Sequence, residues 1–379
     1  MTKRLFHFRF VFIVVVLLGF AVRELAYEHR PSWLRPDLKL CAYVANIADG
    51  TVTVVDLVSL HVRATVNVGP APSGLRAHPQ RKEIWGVSTQ GGYVWVLDAP
   101  TNTVVARIPV GSQPFAIDFS PDGSRAYVAA SGSNSVVAID CATKQVVART
   151  RTGRKPWIAR AIVGGRSVAV TNRDDATLQI FDATTLALRA TIPTAAAPEQ
   201  FIVSGDGSTA FVAATGTNQL SVVDLRRNAL VAQLPLPGRP EAMFLKPDGG
   251  ELYITVPEAH GVTIINTYTH EVSDSIVLGA APSGGVMDAA SSMLYVGDAV
   301  AGHVIPVNME FRQREDPIKV GDRPGACMLD SGETNELLLV VDEGSNDLAV
   351  IPAERTANRS FITLVPLGNA PRDIAVKLF

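Results

Sequence analysis

Three charged residues in neighbouring segments of this chain could together hold an anion. Arg76, Asp118 and Arg160 lie 42 residues apart, and each is the fourth residue after a proline. The same place in the other segments carries the apolar residues Ile202, Phe244, Val286, Met328 and Ala375. Two guanidiniums that flank a carboxylate can bind an anionic or carboxylate-bearing ligand, with Asp118 orienting them. The alternative is an internal Arg-Asp-Arg bridge, which satisfies itself without a ligand.

The residues directly after the same prolines add aromatic and charged groups. Trp157 and Phe115 offer stacking surfaces, and Glu199, Glu241 and Arg372 are charged. The candidate ligand-binding residues are therefore Arg76, Asp118, Arg160, Trp157, Glu199, Glu241 and Arg372.

The sequence offers little evidence for a metal site or for a catalytic nucleophile. His260 and His303 could approach each other, but they form no HxH or HxxxH motif and have no nearby acidic partner, so we predict no metal site. The chain has no GxSxG elbow, no Walker loop and no dinucleotide fingerprint, so we assign no catalytic residue.

A sequence repeat predicts the secondary-structure elements that position these residues. Seven prolines are spaced 42 residues apart, and an eighth follows 47 residues later: Pro72, Pro114, Pro156, Pro198, Pro240, Pro282, Pro324 and Pro371. Most of them end a GxxP step. Each unit contains four short runs rich in Val, Ile, Ala and Tyr, separated by Gly, Asn, Asp and Ser clusters, which predicts four β-strands per unit.

Two further columns keep the same period. The predicted third strand ends at Asp56, Asp98, Asp140, Asp182, Asp224, Asn266 and Asn308. A short acceptor side chain there can bond the backbone two residues on and start a turn, so we interpret this column as structural. The second strand carries Tyr43, Trp85, Tyr127, Phe211, Tyr253 and Tyr295, which we expect to pack between neighbouring units.

Stacked four-stranded units predict an all-β, closed β-propeller. Seven full units run from residue 72 to 370, while residues 42–68 supply three strands and residues 372–379 one more. Three plus one completes an eighth sheet, so we predict eight blades and 32 strands, with both chain ends sharing one blade. Seven blades is the alternative if the first segment stays outside the ring.

The units resemble the YVTN family of bacterial β-propeller repeats. The resemblance is literal at Ala42–Asn46 (AYVAN), at Thr51–Asp56 (TVTVVD) and at Phe115–Gly123 (FAIDFSPDG), and it covers about residues 40–379. It implies an extracytoplasmic binding or scaffold protein rather than a particular reaction.

Similar propellers also include lactonases of the phosphogluconolactonase type and the haem d1 domain of nitrite reductases. By this analogy, a lactonase-like hydrolase with its site in the central channel is the alternative function. The scattered histidines supply no obvious axial ligand, so the cofactor stays unassigned.

The N-terminal segment has the pattern of an export signal. Lys3, Arg4 and Arg9 precede the uncharged apolar run 10–22. We predict a signal peptide or signal anchor over residues 1–22, a polar tether over 23–40 and a propeller over 41–379, placed in the periplasm or at the cell surface. Anchoring to the inner membrane and simple secretion are both consistent with this segment.

The net charge limits the classes of binding partner, and the three cysteines raise the question of a disulfide. Without residues 1–40 the chain has 27 basic and 33 acidic residues, which argues against nucleic-acid binding. Cys41 and Cys327 belong to neighbouring blades, so an inter-blade disulfide is one possibility, and burial as free thiols, together with Cys141, is the other. We expect a small anionic ligand or a protein partner at the face formed by the GxxP loops, with membrane contact only through the N-terminal segment.

Overall fold

Eight antiparallel sheets form a closed ring in the computed structural model, which describes residues 39–278, 281–330, 337–353 and 363–379. The inner strands of successive sheets contact one another all the way round the ring. The predicted eight-bladed propeller is therefore confirmed.

Each blade begins with an inner strand that starts at or just after a repeat proline. Blade 1 contains β1 (Leu40–Asn46), β2 (Thr51–Asp56), β3 (His61–Asn67) and, as its inner strand, β33 (Pro371–Leu378). Blade 2 contains β4 (Pro72–Ala77), β5 (Glu83–Ser88), β6 (Tyr93–Asp98) and β7 (Thr103–Pro109). Blade 3 contains β8 (Pro114–Phe119), β9 (Arg125–Ala130), β10 (Ser135–Asp140) and β11 (Gln145–Arg151). Blade 4 contains β12 (Pro156–Ala161), β13 (Ser167–Asn172), β14 (Thr177–Asp182) and β15 (Leu188–Pro193).

The second half of the ring repeats this plan. Blade 5 contains β16 (Pro198–Val203), β17 (Thr209–Ala214), β18 (Gln219–Asp224) and β19 (Ala229–Pro235). Blade 6 contains β20 (Ala242–Leu245), β21 (Glu251–Val256), β22 (Gly261–Asn266) and β23 (Glu271–Val277). Blade 7 contains β24 (Pro282–Met287), β25 (Met293–Asp298), β26 (His303–Asn308), β27 (Gln313–Arg314) and β28 (Ile318–Lys319). Blade 8 contains β29 (Pro324–Leu329), β30 (Leu337–Asp342), β31 (Asp347–Pro352) and β32 (Thr363–Pro366).

The outer strand of blade 7 departs from the prediction. It is split into β27 and β28, which both pair with β26, so the described residues form 33 strand segments rather than 32. Pro317 lies in the gap and has no N–H to donate to a ladder, which explains the break.

The two chain ends close the ring as predicted. Strand β33 pairs antiparallel with β1. Beyond the strands, the Lys39 N–H donates to the Phe379 carbonyl at 2.9 Å, and the Phe379 N–H donates back to the Lys39 carbonyl at 3.0 Å. Because both ends belong to one sheet, no blade has an uncovered face.

The hydrophobic core lies between the blades. The predicted aromatic column is at most 1 % exposed at Tyr43, Trp85, Tyr127, Phe211, Tyr253 and Tyr295. The Asp/Asn column also behaves as predicted, because Asp56 Oδ1 accepts the N–H groups of Val58 and Ser59 at 2.9 and 3.0 Å. The same turn recurs at Asp140, Asp182, Asp224, Asn266 and Asn308. Asp98 accepts one backbone N–H, that of Thr101, at 3.1 Å. Both columns are therefore structural.

The inter-blade disulfide is wrong, because Cys41, Cys141 and Cys327 are all free thiols. Cys41 lies in blade 1 and faces blade 2, whereas Cys327 lies in blade 8 and faces blade 7. The two side chains therefore point away from each other, which disulfide geometry does not allow.

The ring has two different faces. The loop after the second strand of each blade contacts the GxxP loop, as where the Ile47 N–H donates to the Ala370 carbonyl at 3.0 Å and the Thr89 N–H to the Ala71 carbonyl at 3.0 Å. We call this side the GxxP face and the other side, which carries the SPDG-type turns, the opposite face.

Outside the strands, the described residues contain two short 3-10 helices, Ser131–Ser133 and Pro257–Ala259. No helix within the described ranges is long and apolar enough to cross a membrane. The predicted export segment over residues 1–22 and the tether up to residue 38 lie outside the described residues.

Candidate ligand-binding site at the channel mouth

Two adjoining cavities open at the GxxP face and contain most of the predicted residues. The first, the Glu241 cavity, has a volume of about 290 Å³, and its charged and aromatic lining is Trp157, Arg173, Glu199, Arg239, Glu241 and Arg372. The second, the Arg76 cavity, has a volume of about 480 Å³ and is lined in part by Arg76, Phe115, Trp157, Arg372 and Asp373. Trp157 and Arg372 line both, so the cavities together form one mouth.

The turn before each inner strand places these side chains at the mouth. In six blades the residue before the proline has a φ near +50°, a left-handed conformation that non-glycine residues rarely adopt. These residues are Ala71, Gln113, Lys155, Ala197, Arg323 and Ala370. The proline then fixes the start of the strand, and the next residue points into the mouth.

The two predicted stacking residues stack on each other. The rings of Phe115 and Trp157 lie 4.3 Å apart at an angle of 24°. The Arg173 guanidinium lies 5.3 Å from the centre of the Trp157 ring, within cation-π range. These contacts make Trp157 a fixed wall between the two cavities.

Glu199 is held by two arginines. Arg173 Nε lies 3.1 Å from its carboxylate and Arg239 Nη2 lies 3.9 Å from it. Its charge is therefore compensated within the protein, and we do not assign it a ligand.

Glu241 and Arg372 behave differently from Glu199. Both side chains are exposed. Within the described part of the chain, neither the Glu241 carboxylate nor the Arg372 guanidinium forms an ion pair or a hydrogen bond. Both charges are therefore available to a ligand.

The charged triplet lies on the inner strands, but it does not form the internal bridge. Arg76, Asp118 and Arg160 are half-buried, and among the described residues no ion pair within 4.0 Å joins Asp118 to either arginine. Arg76 donates to the Leu75 carbonyl at 2.8 Å, and Arg160 donates to the Phe201 carbonyl at 2.6 Å. Of the three, Arg76 lines the Arg76 cavity, whereas Asp118 and Arg160 line neither of the two cavities described above.

Burial dominates the electrostatics of this triplet. It raises the pKa of Asp118, an effect that Arg160 and Arg76 oppose. Burial likewise lowers the pKa of Arg160, although Asp118 acts in the other direction. Asp118 Oδ2 accepts the Ala161 N–H at 3.2 Å, so this carboxylate connects blades 3 and 4.

Arg239 and Asp373 are mouth residues that the sequence did not single out. Arg239 stands directly before its proline, and Asp373 is the second residue after one, so neither falls in the columns that we compared. Asp373 Oδ2 accepts the Leu75 N–H at 2.8 Å and connects blades 1 and 2. Comparing every column around the prolines would have found both.

The family is decided by a model match that spans most of the chain. The model described as a YNCE-like beta-propeller matches residues 13–291. The chain belongs to this family. The YNCE-like assignment confirms the resemblance to YVTN-type bacterial propellers. No curated protein sequence matches the chain.

Several solved structures share the fold at low identity. Dihydro-heme d1 dehydrogenase NirN in complex with DHE is 16 % identical, with a TM-score of 0.76 over 88 % of this chain and 74 % of that one. AztD from Citrobacter koseri is 13 % identical, with a TM-score of 0.68 over 90 % and 98 %. Hydrazine synthase from Kuenenia stuttgartiensis is 20 % identical, with a TM-score of 0.60 over 76 % and 96 %. At these identities the similarity concerns the fold.

Proposed function

We propose that this propeller is an exported binding module that holds a small ligand with an anionic group at the channel mouth. The observation that carries the proposal is Arg372, an exposed guanidinium without a protein partner in the described structure that lines both cavities. A guanidinium binds a carboxylate or phosphate through two parallel hydrogen bonds. Arg76 lies in the second cavity and would add a further positive charge.

The export part of the proposal rests on residues 1–22, whose basic start and apolar run would direct the propeller out of the cytoplasm. Whether the segment then stays in the inner membrane as an anchor is testable by fractionation. We propose the anchored form, with the polar segment after it as a tether.

A lactonase-like hydrolase in the same channel is less well supported. Such an enzyme needs titratable groups that converge within hydrogen-bond distance. Among the described residues of the two cavities, no carboxylate accepts a hydrogen bond from a hydroxyl or a histidine. We therefore propose binding as the function.

The test is a binding measurement on the full-length chain with succinate, citrate, benzoate and inorganic phosphate. We expect at least one of these anions to bind by calorimetry and to raise the melting temperature. Arg372→Gln should weaken that binding by about tenfold or more, because a hydrogen bond to a charged group contributes about 1.5–3 kcal/mol. Its melting temperature without ligand should stay unchanged, because Arg372 has no partner to lose.

Arg154→Gln is the matched control, because Arg154 is an exposed arginine of the same face that pairs with Asp175 at 2.6 Å. It should leave anion binding unchanged. Arg76→Gln tests the contribution of Arg76 and should weaken anion binding less than Arg372→Gln does. If none of the anions binds, or if Arg154→Gln weakens binding as much as Arg372→Gln, the proposal is wrong.

A further inference from the structure

The Glu241 cavity carries two opposite charges that do not meet. Glu241 is the residue after Pro240, at the start of blade 6, and Arg372 belongs to the inner strand of blade 1. Blades 7 and 8 separate them in the ring, yet both side chains line the same cavity. The cavity therefore spans the channel mouth, with a carboxylate on one side and a guanidinium on the other.

The other charged residues around this cavity are paired with one another. Glu199 is held by Arg173 and Arg239, at 3.1 and 3.9 Å. On the neighbouring loops Arg154 pairs with Asp175 at 2.6 Å, and Lys155 Nζ lies 3.6 Å from Asp174. Glu241 and Arg372 are exceptions, since neither side chain has a partner within the described ranges.

We propose that the Glu241 cavity binds a zwitterion, an amino-acid-like molecule whose carboxylate contacts Arg372 and whose ammonium group contacts Glu241. This inference rests on the proposed function and specifies its ligand class. A molecule with both charges gains two charge-assisted contacts at once, whereas a simple anion gains one and meets the Glu241 carboxylate as a repulsive neighbour.

The size and wall of the cavity agree with such a ligand. A volume of about 290 Å³ is at the lower end of ligand pockets, which suits a molecule of amino-acid size. Trp157 is held by Phe115 and Arg173, so the side of the cavity that it forms is fixed before a ligand arrives. A preformed wall lowers the ordering cost of binding.

The experiment measures the distance between the two charges with ligands of increasing length. The probes are glycine, β-alanine, 4-aminobutyrate, 5-aminovalerate and 6-aminohexanoate, added to the full-length chain and followed by calorimetry. Each is compared with the carboxylate of the same chain length that lacks the amine. We expect one length to bind best and to bind about tenfold tighter than its amine-free counterpart.

Two variants separate the contributions of the charges. Glu241→Gln should abolish the advantage of the zwitterion, so that both molecules of a pair bind within about twofold of each other, while leaving the amine-free carboxylate bound. Arg372→Gln should weaken both molecules. Glu271→Gln, an exposed glutamate on the outer strand of the same blade, is the control and should change neither.

The outcomes keep this inference apart from the proposed function. If carboxylates bind through Arg372 and the amine adds nothing in the unsubstituted protein, the zwitterion inference is overturned and anion binding stands. If the amine helps equally in Glu241→Gln, the assignment of Glu241 is also overturned. If no probe and no simple anion binds, both proposals fall together.

Discussion

Asp342 and Asp347 face each other across β30 and β31 in blade 8. The Asp342 side chain is fully buried, and its Oδ2 atom accepts the Gly321 N–H at 3.0 Å. The Oδ1 atoms of both aspartates are buried and have no other hydrogen-bond partner among the described residues. Burial and the adjacent Asp347 raise the pKa of Asp342 to about 8, so the Asp342 carboxyl is mostly protonated at neutral pH.

This pair should make the protein less stable as the pH rises. The folded pKa of Asp342 lies above its unfolded value of 3.8, so its contribution is fully present below pH 3.8 and is lost as the pH rises towards about 8. Asp342→Asn keeps a permanent N–H donor towards Asp347. We expect it to raise the free energy of unfolding at pH 8 by about 2 kcal/mol, and to change it little at pH 4. Urea titrations at both pH values measure this difference.

The matched control is Asp298→Asn. Asp298 occupies the same position in blade 7, but its partner across the ladder is His303 and its Oδ1 atom accepts the N–H groups of Val300 and Ala301. This substitution should give no stabilisation at pH 8. A gain for Asp298→Asn equal to that for Asp342→Asn would contradict the explanation by the raised pKa of Asp342.

For single residues, the sequence predicted their location at the mouth better than it predicted their hydrogen-bond partners. Of the seven predicted ligand-binding residues, five line the mouth cavities: Arg76, Trp157, Glu199, Glu241 and Arg372. The sequence did not predict that Arg76 and Arg160 bond backbone carbonyls, because the rotamer of a long side chain depends on neighbouring blades that are distant in sequence.

Within blade 2, a glycine in the second strand makes room for a tryptophan in the third. Gly86 pairs directly with Trp95 in the ladder between β5 and β6. A Cβ atom on Gly86 would lie 2.2 Å from Trp95 Cζ2, and Trp95 is fully buried between blades 1 and 2. The indole thus covers the backbone of the adjacent strand.

Gly86→Ala should therefore destabilise the protein by about 1–3 kcal/mol, because overpacking forces the indole or the strand to move. Thermal and chemical unfolding of the variant measure the loss. Gly205→Ala is the control, since a Cβ atom there would meet no atom within 4 Å. It should leave stability unchanged or raise it slightly. Equal losses for both variants would mean that replacing glycine itself, rather than the indole contact, decides the effect.

Strand order could be predicted from the 42-residue period, because every unit repeats the same apolar runs and turn residues. Two features could not. The split of the outer strand in blade 7 depends on Pro317 interrupting an otherwise ordinary run. The left-handed residues before the prolines include Lys155 and Ala197, which carry no glycine signal.

The ring as a whole is closed by non-covalent pairing of the chain ends. Because Lys39 and Phe379 are hydrogen-bonded to each other, a linker of about four Gly or Ser residues should join them without strain. We expect a permutant with this linker, opened between Gly164 and Gly165, to keep its fold and its anion binding. The new opening separates β12 from β13, so blade 4 would then combine both chain ends as blade 1 does now.

Circular dichroism and the melting temperature, compared with residues 39–379 in the natural order, measure the outcome. A chain that ends at residue 370 is the contrasting variant. It lacks β33, the inner strand of blade 1, and leaves the buried strand β1 without a partner on that side, so it should not fold. A folded truncated chain would show that the ring does not depend on this closure.

Lys39 and Phe379 lie at the opposite face, where Lys377 Nζ also donates to the His78 carbonyl at 2.6 Å. The first and last described residues therefore both lie on the side away from the binding cavities. If residues 1–22 are embedded in a lipid bilayer, the chain enters the ring at Lys39 on the side away from the mouth, so we expect the mouth to face the surrounding fluid. For the same reason, a sensor surface coupled through the C-terminal residue Phe379 would leave the mouth unobstructed.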